Sequence, residues 1–347
     1  MSRSLPVEFV ETTDGVSIAF WSYGAGPPLV HLPTPSLVHT ALVLGLDEHR
    51  AWFEGLADHR TVYFFDFRGS GQSAGDGQAL NLEAALRDLH AVVRATGSAS
   101  VDLYATSAAS PLALEFARLE PHRVRQLVLW HPFADWERWA RDRPVAGIRQ
   151  LMVGDVRRWV AMMTPFFLGS NRAGVDREAF ETLMTKTALD HPEAHVSFIE
   201  HSKSWRVRGP LGDIRAPTLV LVHDGIAEFP YAASREVAWG VRDGQLVSLP
   251  GDGFLPFAGD VKATLAIINE FLARGASSPP PRARVRLTTR QREVALLVAR
   301  GLSNAEIGET LGISIHTVVR HLSRIYVATD VSNRTELAAW VTRNPDA

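Results

Sequence analysis

The sequence predicts a large α/β domain joined to a small all-α domain, on three grounds. Through residue 273, short apolar runs alternate with helical patterns, as in a mostly parallel sheet covered on both faces. At 274–284, RGASSPPPRAR sets Gly, Ser and three successive prolines where neither helix nor strand can continue, which marks a semi-rigid, extended linker. Beyond it, two capping signals and two glycine stops mark short helices. A chain of 347 residues also exceeds one usual core, and 46% apolar residues suffice to fill a large core and a small one.

The strands follow in order. PVEFVE and VSIAFWS flank TTDG, whose Asp14-Gly15 pair predicts an antiparallel hairpin. The runs LVHL (29–32), TVYFF (61–65), VDLYA (101–105), QLVLW (126–130), TLVLV (218–222) and QLVSL (245–249) are apolar throughout, as strands buried on both faces must be. Together these make eight strands. Between them, Leu82, Leu86, Leu89 and Val93 form one helical stripe, with Gly97 placed to end the helix. Residues 133–212 break the alternation and predict a helical cap inserted after Trp130. Every methionine beyond Met1 lies in this cap, at Met152, Met162, Met163 and Met184, near Trp159, Phe166 and Phe167. Methionine adapts to irregular shapes, so these residues either line a ligand pocket or pack cap against body.

Composition narrows the function classes. With no cysteine, disulfides, thiolate metal sites and thiol catalysis are excluded. MSRSLPVEFVETTDG has no apolar core of signal length, and no run approaches the roughly 20 apolar residues of a membrane helix, so a soluble cytoplasmic protein is expected. No cofactor and no metal is expected. The net charge is −2, yet residues 282–347 carry ten arginines against six acids, which makes the tail the candidate for a polyanionic partner.

In the tail, Thr288 with Gln291 and Ser303 with Glu306 form capping boxes, while Gly301 and Gly312 supply stops. Ile307 and Leu311 precede the turn Gly312-Ile313-Ser314, and Val318, Leu322 and Ile325 follow at helical spacing, which describes a helix-turn-helix. LTTRQREV, ARGLSNAEIGETLGIS, HTVVRHLSRI and NRTELAAW resemble, in order and spacing, the LuxR-type DNA-binding domain over 285–347. The resemblance implies a four-helix domain whose third helix, about 315–328, enters the major groove, with dimers reading two half-sites. Thr317 and His321 match the family's T-V-x-x-H, and Thr317 is expected on a phosphate. The base-facing positions fall on Val319, Arg320 and Ser323, with Arg320 the choice for direct readout and Val319 limited to an apolar contact such as a thymine methyl. Arg324 and Arg334 are expected on phosphates. Val327-Ala328-Thr329-Asp330 departs from the family's basic residue, leucine and glycine, which bears on the chain reversal and dimer surface.

FFDFRGSGQS (64–73), YATSAASPLALEFARLEPHRVRQLVLW and APTLVLVH (216–223) together resemble the α/β-hydrolases over roughly 5–273. This implies an eight-stranded sheet, a helical cap and a pocket above the strands' C-terminal ends. The nucleophile elbow G-x-S-x-G is here Ala105-Thr106-Ser107-Ala108-Ala109, so Ser107 holds the family's nucleophile position and the Ala108 N–H can serve an oxyanion. The family's histidine, in a stretch like G-x-D-H-x-P, is replaced by Phe254, which accepts no proton. Its acid is out of register, leaving Asp224 or Glu228, and the first oxyanion loop carries Pro33 and Pro35, which have no N–H. His131 and His223, each after a parallel strand, remain as alternative bases or as hydrogen-bonded strand ends.

The expected function is a DNA-binding regulator whose degenerate hydrolase domain senses a small, apolar effector, the whole acting as a homodimer. Pro33, Thr34, Ser107, Ala108, His131, Met162, Met163, Phe166 and Phe254 are the expected ligand contacts. Two alternatives stand beside it: a regulator with serine esterase activity on its effector, and a ligand-free dimerisation scaffold.

Overall fold

The computed structural model describes residues 5–35, 40, 44–75, 80–141, 145–169, 176–226, 228–274, 287–329, 331 and 333–344. Eight strands form one sheet in the order β1-β2-β4-β3-β5-β6-β7-β8. β1 (Glu8–Glu11) and β2 (Ser17–Gly24) are the hairpin, closed at Gly15 with φ 80°, a conformation an L side chain resists. β3 (Pro28–Leu32) leads through α1 (Asp47–Leu56) to β4 (Thr61–Phe65), which inserts between β2 and β3. α2 (Leu82–Ala95) then crosses to β5 (Val101–Thr106), and α3 (Ser110–Leu119) to β6 (Val124–Trp130). From β3 onward every neighbouring pair is parallel.

Among the described residues, five α-helices lie between β6 and β7: α4 (Trp136–Arg141), α5 (Val145–Gly154), α6 (Val156–Leu168), α7 (Arg177–Asp190) and α8 (Pro192–His201). Their starts follow local chemistry, since Asp155 caps α6 through Arg158 N–H and Asp176 caps α7 through Ala179 N–H. β7 (Thr218–His223), α9 (Glu228–Gly240), β8 (Gly244–Leu249) and α10 (Val261–Ala273) complete the α/β unit.

Alternation along the strands divides the core. Phe64, Tyr104, Val128, Trp130, Leu219 and Leu221 pack towards α1 and α10. Phe65, Leu103, Leu127, Leu129, Val220 and Val222 pack towards α2, α3 and α9. At the C-terminal edge, FFDFRGSGQS acts as a brace: the buried Asp66 carboxylate accepts the N–H groups of Thr40 (2.8 Å) and Gln72 (3.0 Å). Arg68 bonds to Asp88 on α2 and, in a bidentate pair, to Asp14 of the hairpin turn.

The C-terminal unit holds α11 (Thr289–Ala299), α12 (Asn304–Leu311), α13 (Ile315–Thr329) and α14 (Arg334–Arg343). Both capping boxes are present, at Thr288/Gln291 and Ser303/Glu306. Gly312 ends α12 in the left-handed region at φ 65°, and Ser314 Oγ accepts the Thr317 N–H to start α13. Val294, Val298, Ile307, Val318, Leu322, Ile325 and Leu337 make the core that the helical spacing requires.

Candidate ligand cavity and nucleic-acid interface

β5 ends at Thr106, and the chain turns through a 3₁₀ turn, Ser107–Ala109, into α3. Ser107 adopts φ 44°, the left-handed conformation of a nucleophile elbow, although alanines stand where glycines would ease the crowding. Thr34 Oγ1 lies 3.3 Å from Thr106 Oγ1 and brings two more hydroxyls to the same edge. The Ala108 N–H falls in the first turn, where no intrahelical acceptor exists.

A cavity of about 210 Å³ lies over this edge. The body contributes Thr34, Thr106, Ser107 and Ala108, and below them His31, His49, Trp52, Phe53, Tyr104 and Trp130. The cap contributes Trp136, Met152, Trp159, Met163, Phe166, Phe167, Phe180, Leu183 and Met184, and the loop after β8 contributes Phe254 to Phe257. Among the described residues, no Lys, Arg, Asp or Glu is in the lining.

Phe254, expected from the sequence at the family's histidine position, is sandwiched between two rings. It stacks on His131 at 4.9 Å and 21°, and on Phe166 of α6 at 4.9 Å and 27°. Its backbone is held as firmly: Phe254 N–H donates to Phe166 O (3.0 Å), Leu255 N–H to Phe167 O (3.1 Å), and the Trp130 indole N–H to Phe254 O (2.7 Å). Gly253 permits this approach, since a Cβ there would lie 2.8 Å from the Leu168 carbonyl oxygen. Phe254 therefore ties cap to body.

The two alternative bases are otherwise engaged. His131 Nε2 accepts the His223 backbone N–H at 3.1 Å, so its proton sits on Nδ1 and its lone pair is already used. Burial pushes the His131 pKa well down. His223 Nδ1 donates to Gly253 O at 2.6 Å, while its ring edge lies against Gly251 and Gly259. Among the described residues, no imidazole or carboxylate is hydrogen-bonded to Ser107.

Of the expected ligand contacts, Thr34, Ser107, Ala108, Met163, Phe166 and Phe254 line the cavity. Three do not. Pro33 is buried beside it, and His131 lies behind the Phe254 ring. Met162 is 47% exposed because it sits about 100° around α6 from Met163. Asp224 is half-buried after β7, outside the lining, and the Glu228 side chain lies outside the described residues. Sequence reasoning missed His31, His49, Trp52 and Tyr104, which share no motif and meet only through sheet order and the placement of α1.

On α13, Val319 is 44% exposed and Arg320 is exposed beside it. Ile315, one turn earlier on the same side, is 55% exposed and went unremarked in the sequence, where i,i+4 spacing with Val319 is its signal. The Thr317 hydroxyl is bonded to Ser314 Oγ at 2.9 Å, and His321 is half-buried. Arg334 bridges α14 to α12 through Asn304 Oδ1 (3.1 Å) and is half-buried, so part of its guanidinium is spent within the fold. Ser323 and Arg324 lie outside the residues whose side chains are described, as does Asp330.

Two family models match the chain. "Bacterial regulatory proteins, luxR family" matches residues 285–341, and "alpha/beta hydrolase fold" matches 37–221. The transcriptional regulatory protein LiaR of Bacillus subtilis (strain 168) is 47% identical over 58 residues, 17% of this chain and 28% of its own. The chain thus spans little more than a quarter of that relative's length. RutD of Azorhizobium caulinodans is 24% identical over 225 residues, 62% of this chain and 82% of its own. Among solved structures, a thermophilic esterase from Thermogutta terrifontis superposes with a TM-score of 0.61 at 25% identity, covering 78% of this chain and 98% of that one. The esterase RhEst1 from Rhodococcus sp. ECU1013 gives 0.64 at 18% identity, covering 77% and 98%.

Proposed function

We propose, for a chain that belongs to the α/β-hydrolase fold family and carries a LuxR-family DNA-binding domain at its C-terminal end, that the hydrolase-fold domain binds a small apolar molecule without turning it over and so regulates transcription. One observation carries this proposal. The position that would hold the general base holds Phe254, stacked between His131 and Phe166 and unable to take a proton. Loss of the base alone removes several powers of ten from a serine hydrolase, about 10⁴ to 10⁶. What remains is a largely apolar cavity with hydroxyls on its floor, the composition of a binding site.

The coupling is a population shift. A ligand changes DNA affinity only through a better fit to one cap or dimer arrangement than to the other. Contacts that cross from cap to body, such as Phe254 on Phe166, are where such a preference would be felt. In the C-terminal domain, Arg320 is assigned to base readout, with Val319 and Ile315 offering apolar contact to thymine methyl groups. A homodimer reading two half-sites accords with this assignment.

The left-handed Ser107 supports a second reading, a serine esterase acting on the effector. Hydrolysis of p-nitrophenyl acetate by the wild type and by Ser107→Ala separates the two. Equal background rates are expected, and turnover lost in the variant would overturn the non-catalytic proposal. Thermal unfolding across a metabolite panel separates sensor from scaffold, because a ligand of the native state raises stability by mass action.

A further inference from the structure

Helix α13 presents an aliphatic ridge to solvent. Its core face is Val318, Leu322 and Ile325, all buried. Ile315 and Val319 lie one turn apart on the flank of that face, both exposed, and His316 and Arg320 are exposed beyond them. A lone apolar side chain on a surface needs no explanation. Two large ones at the start of one helix do, because β-branched residues also weaken a helix relative to alanine or lysine. The first turn of α13 carries no acid either, although the helix dipole favours one there. DNA entering at that end accounts for both choices: an acid would repel its phosphates, and an aliphatic ridge meets the apolar groups of the groove.

The apolar group that the bases display in the major groove is the thymine 5-methyl. Isoleucine and valine side chains have neither donor nor acceptor, so they do not distinguish the O4 of thymine from the N4 amino group of cytosine. The methyl alone is what such a ridge senses. Ile315 and Val319 are separated by about 6 Å along α13, against about 3.4 Å between stacked base pairs. The two side chains therefore reach methyl groups on adjacent or next-but-one pairs. Arg320, about 100° around the helix from Val319, is left to a neighbouring guanine.

We propose that the ridge of Ile315 and Val319 reads pyrimidine 5-methyl groups at two positions of each operator half-site, and accepts 5-methylcytosine wherever it accepts thymine. This rests on the DNA-binding role of the C-terminal domain. The ridge thus responds to a chemical mark on the base and is indifferent to the hydrogen-bonding edge that Arg320 uses.

The test uses the full-length chain and the duplex it selects from a randomised library. Each thymine of that duplex is replaced in turn by deoxyuridine, which removes only the methyl group. Two positions per half-site should respond, each with a loss of about fourfold, the worth of one buried carbon. The loss should be the same at low and high salt, since no phosphate contact goes with it. At the same positions 5-methylcytosine paired with guanine should bind within about twofold of thymine, and plain cytosine about fourfold more weakly than its methylated form. Ile315→Ala should erase the methyl preference at one position and Val319→Ala at the other; each replaces an exposed side chain by the best helix former, so folding is kept. A selected site without thymine, equal binding of the thymine and uracil duplexes, or equal binding of cytosine and its methylated form would overturn the methyl reading. Variants that both keep the wild-type preference would remove it from this ridge, and selection of no sequence at all would overturn the DNA-binding role together with it.

Discussion

Acid should destabilise the hydrolase-fold domain through histidines that must stay neutral inside it. His31 has a folded pKa of about 3 against an ordinary 6.5, the difference arising from burial. As pH falls through 6.5 the unfolded chain takes up a proton at this site, and the folded chain does so only near 3. The stabilising contribution is thus complete above 6.5 and is lost progressively below it. At pH 5, about 1.5 units under the unfolded value, the loss is about 2 kcal/mol at about 1.36 kcal/mol per unit. His49 carries the same shift from the same cause and adds a similar amount. Urea unfolding at pH 7 and pH 5, followed by tryptophan fluorescence, measures the loss in the wild type. His31→Phe keeps a ring against Tyr104 and removes the titration, so its loss should be smaller by about 2 kcal/mol. Comparing the two pH dependences cancels the carboxylates common to both proteins. The same pH dependence in variant and wild type would refute the reasoning.

Other perturbations address other links. Arg320→Ala should cost about 1–3 kcal/mol of discrimination at one base pair while leaving phosphate binding intact, measured on a randomised operator library; an unchanged sequence preference removes Arg320 from base readout. Ser303→Ala deletes the oxygen that accepts the Glu306 N–H at 3.3 Å and should cost about 1 kcal/mol, with faster exchange of that amide. Equal exchange would mean the cap carries no stability. Phe254→Ala should loosen the cap by about 2 kcal/mol, less than a fully buried phenylalanine would cost, because two ring stacks vanish. Hydrogen exchange over 156–168 reads it, and unchanged protection there argues against Phe254 as the tie.

Local chemistry made much of this fold legible. Each buried strand announces itself as an apolar run, because a strand covered on both faces has no polar side to show. Asp14-Gly15, Thr288 with Gln291 and Ser303 with Glu306 mark their turn and caps within four residues. Ser107 was legible as the residue at the turn between β5 and its following helix. Strand order was not: nothing within TVYFF says that it inserts between β2 and β3. The His31 cluster stayed hidden for the same reason, because His49 and Trp52 come from a helix that reaches Tyr104 only after the sheet has formed. Met162 and Met163 differ by one residue in sequence and by helical phase in space, which periodicity resolves only once the helix axis is placed.

Ser107 at φ 44° and His131 at φ 45° stand at the ends of neighbouring strands, and neither is glycine. Each such residue holds back roughly 1 kcal/mol or more of folding energy. At Ser107 the conformation persists with alanines, not glycines, two residues away on either side. The tension lies on the route from a parallel strand into its returning helix. An elbow of this kind records the ancestry of a backbone. Some 150 residues later, Phe254 stacks between His131 and Phe166.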